Sequence, residues 1–294
     1  MQMQPLIKQG WLRVLIFVIV LVTATVIMTR AGNAIVYGLN PGSNATADPG
    51  VTKQQLVLFS LLITFLASAG TVFLFRKFID KHTLISLGLD FNGYHYHAAT
   101  GFFLGLFLLG IGSFFLIASK NLQWTGISFD AKQLFLNLIL MALVAFAEEL
   151  VFRGYILNNL LQSMNKWTAL IISSLLFTLF HLSNPDISLL ALLNIFLSGL
   201  MLGINYIFTK NLWFAILLHF SWNFYEGPIL GYKVSGLTLE SLLQQELTGN
   251  PILTGGEFGF EGSMIAGLLS LSTVLILAWI YRKKFEVQGS GFGV

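Results

Sequence analysis

Residues 133–162 read QLFLNLILMALVAFAEELVFRGYILNNLLQ, an apolar run that contains two glutamates and one arginine. The apolar residues on both sides of these charges follow helical spacing, so the whole run predicts one long helix. A charged side chain at the centre of a bilayer costs about 2.5–3.5 kcal/mol on insertion scales. The stretch therefore predicts a membrane helix in which Glu148, Glu149 and Arg153 have a functional role that offsets this cost.

The composition of the whole chain agrees with a membrane protein. Of its 294 residues, 55% are apolar and 10% are charged, whereas soluble domains carry about 25% charged residues. The net charge of +3 is too small for recognition of a polyanion through a basic surface, so we expect no nucleic-acid partner. The absence of cysteine excludes disulfides, thiolate zinc sites, iron–sulfur clusters and thiol nucleophiles.

The apolar segments together predict an all-α, polytopic transmembrane helical bundle of about eight spans. The predicted spans are Trp11–Met28, Gln55–Phe75, Ala98–Ala118, Gln133–Phe152, Trp167–Phe180, Ile187–Phe208, Leu212–Phe224 and Met264–Tyr281. No repeat or soluble segment divides the chain, so we interpret 1–294 as a single integral membrane domain. Its motif-bearing core covers about 133–224, and the expected location is the cell membrane.

The distribution of basic residues predicts the orientation of the spans. Most of the 16 Lys and Arg residues lie on the side of both termini, which predicts that both termini are cytoplasmic. The segments 31–52 and 226–262 are then external loops, whereas His82, His95 and His97 are expected in a cytoplasmic loop as solvated residues. An alternative for the first span is a cleaved signal peptide, which its long apolar run and the position of Arg30 disfavour.

The two adjacent carboxylates are predicted to have different surroundings. Glu149 and Arg153 are four residues apart, so they can form an ion pair on one face of a helix. Glu148 is turned by about 100° from Glu149, so one carboxylate can pair with the arginine while the other faces elsewhere. Two carboxyl groups in such different surroundings are suited to acid–base chemistry.

Two later spans also carry polar residues. His181 ends the fifth span, and the seventh holds His219 and Asn223, which share one helix face because they are four residues apart. If the motif helix continues past Arg153, Glu148 and both histidines can meet at an intermediate depth of the membrane. The alternative interpretation is that these polar groups only hold the helices together.

Three short motifs occur in order along these segments. Glu148–Arg153 reads E-E-x-x-x-R, Phe177–His181 reads F-x-x-x-H, and His219–Asn223 reads H-x-x-x-N. In this order they resemble the CAAX protease and bacteriocin-processing (CPBP) family, which includes the type II CAAX prenyl endopeptidases and the Abi proteins. The resemblance covers about 133–224, so the first three spans and the last one lie outside it.

The resemblance implies an intramembrane endopeptidase that hydrolyses a peptide bond. Glu148 and His181 would activate the attacking water, while Glu149 and Arg153 would form a supporting pair. The implied partners are membrane lipid and a substrate that is a peptide or a membrane protein. In the eukaryotic branch of the family this substrate is lipidated by a prenyl group.

His219 and Asn223 would form the oxyanion hole of such an enzyme. The chemistry of Asn223 agrees, because an amide donates hydrogen bonds but does not titrate. Glu148, His181 and His219 could also bind zinc, although the H-E-x-x-H helix of many zinc proteases is absent. We therefore expect that no cofactor is required, and both a glutamate-dependent enzyme and a metalloprotease stay open.

Two functions from other classes are alternatives for this chain. Intramembrane Glu, His and Arg also mark ion pathways, so a proton- or ion-coupled transporter is one alternative. Transporters often show internal repeats, and no duplicated motif pair occurs in the two halves of this chain. The other alternative is a catalytically idle protein that binds a peptide or a membrane partner, as in bacteriocin immunity, which the intact motif set disfavours.

Overall fold

The computed structural model describes residues 4–38 and 53–289, so most of the predicted loop 31–52 lies outside the described residues. The helices and strands follow in the order α1 (Gly10–Gly38), α2 (Lys53–Leu74), α3 (His95–Ala118), β1 (Leu122–Ile127), α4 (Ala131–Glu149), α5 (Asn158–Leu160), α6 (Lys166–Phe180), α7 (Leu189–Thr209), α8 (Trp213–Phe224), β2 (Leu243–Leu247), α9 (Pro251–Thr254) and α10 (Met264–Gly289). Helices dominate this order, which confirms the predicted all-α bundle.

Six helices in the described part of the chain are long and apolar enough to cross a membrane. They confirm a multi-pass integral membrane protein. The other two predicted spans correspond to α6 and α8, which are helical but only 15 and 12 residues long. A full span needs about 20 residues, so the structure supports six of the eight predicted spans at full length. The difference is largest for α8, most of whose residues are buried among other helices.

The helix that carries the two glutamates extends well beyond α4. After Glu149 it continues through a π-helical segment, Leu150–Leu157, and then into α5. Together these elements form 30 helical residues, which confirms the prediction of one helix that passes Arg153. The helix begins after Asp130, whose carboxylate accepts hydrogen bonds from two backbone N–H groups of the first turn. Every residue of the π-helical segment is buried, and such segments are frequent at functional sites.

α8 lies at the centre of the bundle and packs against α3, α4 and α7. Most of its residues are buried, including the polar residues His219, Ser221 and Asn223. A Cβ atom on Gly101 of α3 would lie 2.2 Å from the carbonyl oxygen of Phe214, so only glycine allows this approach of the two backbones. Small residues at helix contacts are typical of membrane proteins. This packing places the polar face of α8 beside the motif helix.

The segment 226–262, predicted as an external loop, contains regular structure. β2 lies within it and pairs antiparallel with β1, with Leu122 opposite Leu247. The prediction missed this pairing because LQQEL, the sequence of β2, lacks the alternation of apolar and polar residues that indicates a strand. Of the three histidines predicted in a loop, His82 does lie outside the helices, whereas His95 and His97 belong to the first turn of α3, where His95 is exposed as predicted.

A buried aspartate joins three segments at the end of α2. The carboxylate of Asp80 accepts hydrogen bonds from Arg13 at 3.0 Å, from Arg76 at 2.9 Å and from the hydroxyl of Tyr155 at 3.3 Å. Arg13 belongs to α1 and Tyr155 to the π-helical segment of the motif helix. The cluster therefore connects α1 and α2 to the helix that carries Glu148.

Candidate active site

A cavity of about 410 Å³ lies between α1, α2, α4, α6, α7 and α8. Apolar side chains form most of its wall. Four polar residues of the predicted site line it as well: Glu148, His181, His219 and Asn223. Residues from three separate sequence motifs therefore meet at one cavity.

Glu149 is the buried member of the carboxylate pair and does not line the cavity. Its Oε1 accepts a hydrogen bond from Nη1 of Arg153 at 2.8 Å and lies 2.9 Å from Nδ1 of His219. Arg153 also donates through Nη2 to the carbonyl oxygen of Gly199, and its guanidinium lies 4.5 Å from the ring centre of Phe177. The predicted pairing of Glu149 with Arg153 is thus present, and it connects α4 to α6, α7 and α8.

Glu148 faces the cavity and has a different environment from its neighbour. Its Oε2 lies 3.8 Å from Nε2 of His181 and 4.0 Å from Nε2 of His219. Both distances are too long for a direct hydrogen bond, but they are short enough for one water molecule to contact the carboxylate and an imidazole together. The side chain of Glu148 is 30% exposed, whereas that of Glu149 is fully buried.

The hydrogen bonds of the two histidines determine which ring nitrogen carries a proton. Nδ1 of His181 lies 2.7 Å from the carbonyl oxygen of Phe177, which can only accept, so Nδ1 is the donor. Nδ1 of His219 donates to the carboxylate of Glu149 in the same way. Both imidazoles therefore present Nε2 towards Glu148.

Asn223 lies one turn after His219 on α8 and lines the cavity, although it is only 5% exposed. Within residues 4–38 and 53–289, its side-chain amide has no protein hydrogen-bond partner. A buried amide without a partner is unfavourable unless a ligand or water satisfies it. Its donor is therefore available to a group that enters the cavity.

Part of the cavity wall comes from residues that the sequence motifs did not indicate. Leu21 of α1, Ser68 of α2, and Ser235 and Glu261 of the segment 226–262 all line the cavity. These residues are far from the motifs in sequence and form no spacing pattern with them. Only the intramembrane position of a polar residue, Ser68, offers a weak sequence signal.

Two donor separations at the site are wider than those around a tetrahedral zinc ion. Zinc binds nitrogen and oxygen at about 2.0–2.2 Å, so the ligand atoms of a tetrahedral site lie about 3.3–3.6 Å apart. The separations of Glu148 from His181 and His219, 3.8 and 4.0 Å, exceed this range. Across the described ranges, no group of three His, Cys, Asp or Glu residues is arranged to hold a metal. The residues as placed therefore do not fit a metal site.

A comparison with protein families found a match in the central part of the chain. Residues 130–225 match the family described as Rce1-like, type II CAAX prenyl endopeptidase. Residues 130–225 are thus similar to this family. The match runs from α4 to α8 and includes every residue of the predicted site, while α1, α2, α3 and α10 lie outside it. It confirms the resemblance carried by the three motifs and supports, at the level of the family, a CAAX-type intramembrane protease. A search of curated proteins found no match to the chain.

Proposed function

We propose that this protein is an intramembrane endopeptidase that cleaves a peptide bond with a water molecule activated by Glu148 and His181. One observation carries the proposal: the carboxylate of Glu148 faces Nε2 of His181 and of His219 across 3.8 and 4.0 Å at a mainly apolar cavity. The Rce1-like match of residues 130–225 supports the class of enzyme.

In the proposed first step, a water molecule lies between Glu148 and His181. One of its protons forms a hydrogen bond to Nε2 of His181, and the other passes to the carboxylate of Glu148 as the oxygen attacks the peptide carbonyl carbon. The new carbon–oxygen bond gives a tetrahedral intermediate. In the second step Glu148, now protonated, gives its proton to the leaving nitrogen as the carbon–nitrogen bond breaks. Glu148 thus ends the cycle as a carboxylate.

The tetrahedral intermediate carries negative charge on the former carbonyl oxygen. Hydrogen-bond donors are required to stabilise this charge. The buried amide of Asn223 is one donor, and Nε2 of His219 is a second when it carries a proton. Glu149 fixes the orientation of the His219 ring through Nδ1 at 2.9 Å. Glu149 and Arg153 are therefore positioning residues in this mechanism.

The substrate that we propose is a peptide or a membrane protein that enters the cavity from the lipid. The cavity wall supports this substrate, because α1 and α2 contribute mainly apolar residues such as Leu21, Val26 and Leu61. Such a wall also suits a substrate that carries a lipid chain.

The experiment that tests the function compares membrane proteomes of cells that contain the wild-type protein or Glu148→Gln. We expect one or a few precursors to accumulate in the variant and to be processed in the wild type. A matched control is Glu246→Gln, since Glu246 lies on exposed β2 and does not line the cavity. Identical proteomes for wild type and Glu148→Gln would contradict the proposal.

We also propose that the reaction requires no metal, which the wide spacing of the donor atoms supports. Elemental analysis of the purified protein and a chelator titration of its activity test this mechanism. We expect substoichiometric zinc and full activity in the chelator. Activity that is lost in the chelator and restored by zinc would overturn the metal-free mechanism without affecting the class of enzyme.

A further inference from the structure

Glu261 lines the cavity that contains the proposed catalytic residues, but it comes from a different part of the chain. Its Oε2 accepts two hydrogen bonds from Ser235, from the backbone N–H at 3.0 Å and from Oγ at 2.7 Å. No residue in the described ranges donates a hydrogen bond to its other oxygen, Oε1. One carboxylate oxygen is thus fixed, and the other is available to a ligand.

No permanently charged basic side chain of the described cavity wall is available to neutralise this carboxylate. No lysine or arginine is among the described residues that line the cavity. The lysine of the same segment, Lys233, forms an ion pair with Glu257 at 2.5 Å and lies 4.0 Å from Asp186. An ionised carboxylate in an apolar wall is costly unless a cation compensates for it. The charge of this wall therefore favours a ligand with a positive group.

A second carboxyl group, that of Glu226, accepts a hydrogen bond from the backbone of Glu261. Glu226 is fully buried in the π-helical turn that follows α8, and its Oε1 accepts a hydrogen bond from the backbone N–H of Glu261 at 3.3 Å. Burial, together with the charge of Glu261, raises the pKa of Glu226 well above its ordinary value. This shift favours the neutral form of Glu226, and the hydrogen bond from the backbone N–H of Glu261 fixes that backbone beside it.

We infer that Glu261, fixed by Ser235, is a specificity-determining residue that selects peptides with a lysine or arginine side chain in the segment that occupies the cavity. The inference rests on the proposed function, because the bound peptide is taken to be the substrate. It goes beyond that function because it states that the substrate must carry a basic side chain.

Binding and cleavage are measured separately to test the inference. A randomised peptide library is bound to Glu148→Gln protein in lipid nanodiscs, and the retained peptides are sequenced by mass spectrometry. We expect enrichment of lysine- and arginine-containing peptides by about tenfold or more. A peptide without a basic side chain would leave the carboxylate of Glu261 without a partner, and such a loss weakens binding strongly. Adding Glu261→Gln should abolish this enrichment, and adding Glu261→Lys should shift it towards peptides with aspartate or glutamate.

The matched control is Glu246→Gln, which removes an exposed carboxylate in the same segment that does not line the cavity. This variant should retain the wild-type enrichment. Ser235→Ala is a milder second variant, which keeps the backbone hydrogen bond to Glu261 and should weaken the enrichment without abolishing it. Enrichment that persists in the folded Glu261 variants, or that is lost equally in Glu246→Gln, would overturn the inference.

The same library incubated with protein that retains Glu148 separates the two proposals. Cleavage without preference for lysine or arginine would overturn the inference and leave the proposed function intact. Binding that depends on Glu261, without any cleavage, would support the inference and contradict the proposed function.

Discussion

Nδ1 of His219 donates a hydrogen bond to Oε1 of Glu149 at 2.9 Å, although 70 positions separate the two residues in the sequence. The same oxygen accepts the hydrogen bond from Arg153 at 2.8 Å. Glu149 therefore connects α4 to α8, and Glu148 is left to face the cavity. Two adjacent acids thus have separate roles, one in structure and one in the proposed chemistry.

Glu149→Gln should destabilise the protein strongly. The substitution removes the charge that compensates Arg153, and breaking a buried pair costs about 3–5 kcal/mol. Thermal unfolding in detergent measures this effect. The matched control is Glu148→Gln, because Glu148 is 30% exposed and forms no direct ion pair with an arginine of the described residues. Equal unfolding temperatures for the two variants would contradict the division of roles between the two acids.

Asp80→Asn should also lower the unfolding temperature. Asp80 compensates Arg13 and Arg76, both of them buried, and an amide cannot replace that charge. Tyr155→Phe is the milder comparison, since it removes only one hydrogen bond to Asp80, a change of about 0.5–1.5 kcal/mol. We expect Asp80→Asn to unfold at a clearly lower temperature than Tyr155→Phe. A larger effect of Tyr155→Phe would show that the charge cluster does not stabilise the bundle.

Two glycines of α3 should respond in opposite directions to alanine. A Cβ atom on Gly101 would lie 2.2 Å from the carbonyl oxygen of Phe214, whereas one on Gly110 would have no atom within 4 Å. Gly101→Ala should therefore force α3 and α8 apart, and overpacking costs about 1–3 kcal/mol. Gly110→Ala should stabilise the helix by about 0.5–1 kcal/mol. Unfolding measurements that rank the two variants in the reverse order would contradict the packing of α3 on α8.

The sequence alone predicted the parts of the site that depend on local helix geometry. Glu149 and Arg153 are four residues apart on one helix, so their pairing follows from the helical repeat. The divergence of Glu148 from Glu149 follows from the same geometry. The meeting of His181 with these residues required only that the motif helix continue past Arg153, which apolar spacing indicated.

The remaining parts of the site depend on how distant segments pack, which spacing does not encode. Ser235 and Glu261 reach the cavity because the segment 226–262 folds back over it. β1 and β2 pair across more than a hundred residues, and their short sequences carry no clear strand pattern. The predicted orientation, with both termini cytoplasmic, and the single domain over 1–294 stay predictions.

Asn223→Ala should reduce kcat with little change in KM. Oxyanion donors act on charge that exists only in the transition state, and removing one costs about 10²–10³-fold in kcat. Steady-state cleavage kinetics in nanodiscs give both constants. Asn205→Ala is a control on α7, since Asn205 does not line the cavity and bonds instead to Thr209 and Tyr281. A rise in KM at constant kcat would instead make Asn223 a substrate-binding residue.

The central claim is that Glu148 activates the water that attacks the peptide bond. The most direct measurement is the single-turnover rate of peptide cleavage by Glu148→Gln in nanodiscs, with folding confirmed by its unfolding temperature. General base catalysis accelerates a reaction by about 10²–10⁴-fold. We therefore expect the cleavage rate to fall by at least about 10²-fold, while the unfolding temperature stays near that of the wild type. A folded Glu148→Gln protein that cleaves peptide at the wild-type rate would contradict the claim.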